Sequence, residues 1–150
     1  MKALTKIALV SLIAAAVSVT TLAQSQSEID EAAQAHAAFV KTMSAFRSAK
    51  NWWPLLDQLE RDAKQYVGKS KVQIAYVSNS PLSAVQKRKL TIMFEKADET
   101  AAQAIRFTAA AHKAWNSVKK EDLDEAETER LKFIDASKDW ARAGLDATGH

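Results

Sequence analysis

The sequence predicts an all-α protein, an antiparallel four-helix bundle that follows a cleaved signal peptide. Three observations carry this. Gly and Pro are scarce, three and two in 150 residues, so long stretches are free of helix breakers. The stretch 83–118 has neither, and its apolar positions step by three or four: Leu90, Phe94, Ala97, Ala101, Ala104, Ile105, Thr108, Ala111, Trp115, Val118. That spacing is one face of a helix roughly 50 Å long. Two capping signatures, Ser25 with Glu28 and Ser83 with Gln86, mark helix starts.

In chain order, Lys2 and Lys6 precede an apolar run at 7–19, and Thr21-Leu22-Ala23 supplies small residues at the outer positions of a cleavage site. This reads as a secretory signal peptide over 1–23, cleaved near Ala23. The run falls short of the ~20 residues that span a bilayer. The short basic start resembles Gram-negative signals, so a periplasmic product is expected, with one domain at 24–150.

The first helix, about 26–50, puts Ile29, Ala32, Ala33, His36, Phe39, Val40, Met43 and Phe46 on one face. Asn51-Trp52-Trp53-Pro54 forms a corner, since Pro suits the first turn of the next helix. The second helix covers about 54–77 and has a weak point at Gly68. There the reading divides: residues 71–76 alternate like a strand, yet the helical register continues through the glycine at a cost of ~1 kcal/mol. Ser78-Asn79-Ser80-Pro81 is a loop. The third helix spans about 84–118. Lys119 and Lys120 followed at once by Glu121, Asp122, Asp124 and Glu125 suit one helix end beside the next start. The fourth helix, about 122–143, carries Leu123, Ala126, Leu131, Phe133, Ile134 and Trp140, with Gly144 as its stop.

Composition excludes several function classes. There is no cysteine, hence no disulfide, thiolate ligand or catalytic thiol. The formal charge of +3 belongs to the whole chain; removing Lys2 and Lys6 leaves 19 cations against 18 acids, a net of +1. A nucleic-acid partner is not expected of so balanced and exported a protein. No Gly-rich phosphate loop, G-x-S-x-G or Ser/His/Asp constellation occurs, so no enzyme is expected.

Metal or haem ligation needs donors at helical reach. His36 has Ala32, Ala33, Phe39 and Val40 at three and four residues; His112 has Thr108, Ala109, Trp115 and Asn116. Neither neighbourhood coordinates, which leaves only an interhelical His36–His112 pair. The expectation is no metal and no cofactor. The carboxylates Glu95, Asp98 and Glu99 share a helix face and read as solvated.

Two features point to binding. Six cations and no acid lie between positions 63 and 94, whereas seven acids and two bases lie between 121 and 135. Lys87, Arg88 and Lys89 occupy the first turns of a helix, where the dipole disfavours cations. They are candidates for an anionic envelope component, against the plainer reading of a solvated basic face. Trp52 and Trp53, adjacent at a corner, are candidates for an aromatic anchor on a partner protein, against both packing around that corner.

Two resemblances follow. Leu82-Ser83-Ala84-Val85-Gln86, continued by Lys87 and Leu90, resembles the LTxxQ motif of small periplasmic helical chaperones and stress proteins. That likeness implies an exported, cofactor-free protein that holds unfolded clients. The four-helix layout is similar to that of small periplasmic b-type cytochromes, in which Met43 would stand for the axial Met. The last helix has no His for the second ligand. The leading expectation is therefore an exported, cofactor-free helical protein that binds a protein or envelope component. A chaperone-like stress protein, a redox or metal carrier, and an immunity or inhibitor protein stand as alternatives.

Overall fold

The computed structural model describes residues 25–149; the expected signal segment at 1–23 lies outside the described residues. Among these the protein is all-helical, with no β-strand. Helix α1 spans Gln26–Ser48, a 3-10 turn Trp53–Leu55, α2 Leu56–Tyr66, α3 Ser70–Ser78, α4 Ala84–Ser117 and α5 Lys120–Thr148. No helix among the described residues is long and apolar enough to cross a membrane.

Both expected helix starts are present as reciprocal caps. Ser25 accepts from the Glu28 amide while Glu28 accepts from the Ser25 amide, and Ser83 and Gln86 repeat the arrangement. The expected second helix, 54–77, is instead two helices, so the described chain has five. Gly68 adopts φ +85°, a left-handed conformation that breaks the hydrogen-bond ladder and suits a residue without Cβ. The break is tied on three sides. The Gly68 amide donates to Asp98 Oδ1 at 2.6 Å, and the Tyr66 hydroxyl donates to Gln73 Oε1 at 2.8 Å. Lys69 Nζ pairs with Glu31 Oε1 at 2.7 Å. The strand-like alternation at 71–76 is helical: α3 buries Ser70, Gln73 and Val77, a spacing of three and four.

Other boundaries also shift. The first helix ends at Ser48 rather than 50, with Ala49 as its cap. The last runs from Lys120 to Thr148 rather than over 122–143, and Gly144 lies inside it; the left-handed cap is Gly149, at φ +77°. A mid-helix glycine costs about 1 kcal/mol. Ala143 and Ala147 pack on the core on either side of it, and Lys89 Nζ bonds Asp146 Oδ1 at 3.0 Å in the same turn.

Helices α4 and α5 form the closest pair. Small buried residues on α4 (Ala97, Thr100, Ala101, Ala104, Thr108) permit this, and Thr100 Oγ1 donates across to the Ala136 carbonyl at 3.1 Å. Helix α1 lies nearest α2 and α3, and large rings fill the space between it and the α4–α5 pair. Phe39, fully buried, stacks on Tyr66 (centroids 5.8 Å, 19°) and on Trp140 (5.3 Å, 10°). One layer along, Phe46 meets Phe107, Phe133 and Trp52. Arg47 Nη2 donates to the Ser137 carbonyl at 2.6 Å and fixes the end of α1 against α5.

The packed face of α4 stops at Ala114. Trp115 and Val118, expected on that face, are 66% and 77% exposed. Leu123 and Leu131 are exposed as well; α5 buries only Phe133, Ser137 and Trp140. Val118 caps α4 in the left-handed region, at φ 54° and ψ 22°, where a β-branched residue is strained by at least ~1 kcal/mol. Substituting Val118→Gly is expected to stabilise the fold by about 0.5–1 kcal/mol, read as a higher urea midpoint at unchanged slope.

Candidate functional site

The 3-10 turn after α1 and the last turns of α4 meet at one end of the molecule. Asn51 begins the turn by accepting from the Trp53 amide with its Oδ1, at 3.2 Å, and Pro54 follows. Trp52 and Trp53 are both half-buried and both pack against the core. Trp52 is half-buried against Phe46 and Phe107. Trp53 packs on the exposed Trp115 with centroids 4.7 Å apart and planes tilted by 34°, and it meets His112 in a T-shaped contact at 6.2 Å. Both rings of the candidate anchor thus pack around the corner, and Trp53 additionally meets the exposed Trp115.

Beside this pair stand Asp57 and Glu60, one helical turn apart on α2. His112 Nε2 lies 3.2 Å from Asp57 Oδ1 and 3.6 Å from Glu60 Oε2. The three donor atoms all lie within 4.8 Å of one another. The other carboxylate oxygen of Glu60 pairs with Lys64. The absence of a coordinating neighbour for His112 along its own helix was the ground for expecting no ligand set; its carboxylates come from another helix. One signal was available, the Asp57/Glu60 pair spaced to share a face.

The second histidine lies elsewhere. His36 is buried among Tyr66, Phe94 and Trp140, with centroids 5.2–5.7 Å away. Its Nε2 has no hydrogen-bond partner. Burial pushes its pKa down to about 4, so the ring is neutral near pH 7. Burial, with the Asp98 charge second, raises the Tyr66 hydroxyl well above its ordinary range. Met43 is core packing.

The basic trio is dispersed. Lys87 Nζ donates to the Ser78 carbonyl at 2.8 Å, at the end of α3. Lys89 Nζ donates to the Asp146 carbonyl at 3.2 Å as well as pairing with its carboxylate. Both satisfy helix C-termini, which attract cations. Arg88 alone of the three points into solvent without a described partner. Similarly, Gln86, central to the LTxxQ-like stretch, is engaged with Ser83: its Oε1 accepts from the amide at 3.2 Å and from the hydroxyl at 3.1 Å.

After Lys119 and Lys120, the first turns of α5 are acidic, with six acids and no cation at 121–129. Lys113 reaches over from α4 to Glu125 at 2.8 Å and Asp122 at 2.9 Å. Those bonds raise the Lys113 pKa, and bonds from Ser117 and then Lys113 lower that of Asp122. Set against known proteins, the chain matches no family model, no curated protein and no solved structure.

Proposed function

We propose that the protein is an exported, non-enzymatic binding protein that docks a partner protein on the Trp53–Trp115 end. In this reading 1–23 is a signal peptide and the mature product is periplasmic. The fold is a four-legged up-and-down bundle whose second leg, α2 with α3, is broken at Gly68. Trp115 carries the proposal: two-thirds of a large ring stands in water, packed on a second ring and next to the exposed Val118. Exposed aromatic pairs of this kind serve as hot spots at interfaces.

Affinity capture from native envelope extract tests this with two variants. Trp53→Ala/Trp115→Ala should reduce capture of the partner at least about tenfold, the loss of a typical hot spot. Lys87→Gln/Arg88→Gln/Lys89→Gln should leave capture unchanged. The opposite pattern overturns the aromatic end and restores an anionic envelope ligand. Suppression of aggregation across several unrelated clients, insensitive to the tryptophan pair, would favour the chaperone-like alternative.

A further inference from the structure

The structure assigns a divalent transition-metal site, suited to Zn²⁺, to Asp57, Glu60 and His112. It stands independently of the proposed docking role. The ligand types fit. One imidazole and two carboxylates make a mixed nitrogen–oxygen set, which favours zinc-like ions over Mg²⁺ or Ca²⁺, whose sites are all-oxygen and larger in number.

The spacing fits as well. Tetrahedral zinc with bonds of ~2.0–2.1 Å places neighbouring ligand atoms about 3.3 Å apart. His112 Nε2 lies 3.2 Å from the Asp57 oxygen and 3.6 Å from the Glu60 oxygen. With all three donor atoms within 4.8 Å of one another, the set supplies three corners of a tetrahedron. The fourth faces solvent, where water or a donor from another molecule can enter.

The surroundings hold the ligands in place. Asp57 and Glu60 ride on the first turns of α2, directly after the 3-10 turn. The Trp53 ring packs edge-to-face with the imidazole at 6.2 Å and limits its rotation. Lys64 holds the far oxygen of Glu60 and leaves Oε2 for the metal. Binding uses the Nε2 lone pair, so that nitrogen must be free of a proton when the metal binds. Acid therefore competes with the metal.

Isothermal titration with ZnCl₂ tests the site, on untagged protein first stripped with a chelator. One equivalent of Zn²⁺ should bind, while Mg²⁺ and Ca²⁺ at the same concentrations give no heat. His112→Ala should weaken binding by about 100-fold, and Asp57→Asn or Glu60→Gln by about tenfold each, as expected for loss of one ligand of three. His112→Gln keeps the bulk of the side chain and should show the same loss, which covers an alanine variant that does not fold. His150→Ala, in the tail, should leave affinity unchanged. Lowering the pH from 7.5 to 5.5 should weaken binding at least about tenfold, because protons compete with the metal for the ligand atoms. Circular dichroism should show equal helix content in each variant. No binding by the native protein, or equal Zn²⁺ affinity in both His112 variants, overturns the assignment.

Discussion

Replacing Phe39 with Ala is expected to remove about 3–5 kcal/mol of stability, enough to unfold much of a domain whose whole margin is about 5–15 kcal/mol. Phe39 is fully buried and sandwiched between Tyr66 and Trp140, with ring planes within 19° of each. It joins α1 to α2 on one side and to α5 on the other. Truncation leaves a hole that backbone shifts cannot close, because α4 and α5 are already in contact through alanines. Phe39→Leu fills most of that volume and should cost roughly half as much. Urea unfolding followed by far-UV circular dichroism reads both. A loss under about 1 kcal/mol for the alanine variant would mean that α1 does not pack through this ring.

Acidification gives the second large effect. His36 carries a depressed pKa, about 4 against 6.5, through burial, and the rings around it bring no charge to offset a proton. The unfolded chain binds that proton between pH 6.5 and 4 and the folded chain does not. Stability is therefore undiminished above pH 6.5 and lost as the pH falls, levelling off below about 4. At 1.36 kcal/mol per unit the loss approaches roughly 3 kcal/mol. Urea midpoints across pH 4–8 should fall on the acid side, and His36→Leu should flatten that slope. An unchanged slope in His36→Leu would assign the acid sensitivity to other groups.

Local chemistry was legible and long-range chemistry was not. Ser25 with Glu28, and Ser83 with Gln86, needed only three residues of sequence to be read as caps, and both are present. Gly68 was readable as a weak point; that it separates two helices depends on Asp98 and Gln73, which meet the joint only in the folded chain. Trp115 and Val118 continue the apolar period of α4, but nothing covers them, because periodicity describes one helix and not where its neighbours end. Gly144 looked like a stop for α5, and the packing of Ala143 and Ala147 outweighs its propensity. The grouping of His112 with Asp57 and Glu60 was the least legible contact. The partners of His112 on α2 lie more than fifty positions away in sequence, so no spacing rule within one helix brings them together. Lys87 and Lys89 lie in a run of like charge in the sequence, and in the fold each side chain serves the end of a different helix.

The length of α4 has one more consequence. It holds Arg88 and its basic neighbours near one tip of the molecule and the acids at 121–129 near the other, although the described residues carry 19 cations against 18 acids. That separation gives the α4–α5 pair a lengthwise asymmetry of charge. An approaching charged surface exerts torque before it makes contact, turning one tip forward. Ions in the medium damp that torque over roughly 10 Å at 0.1 M. The encounter rate should therefore depend on ionic strength even for a nearly neutral chain.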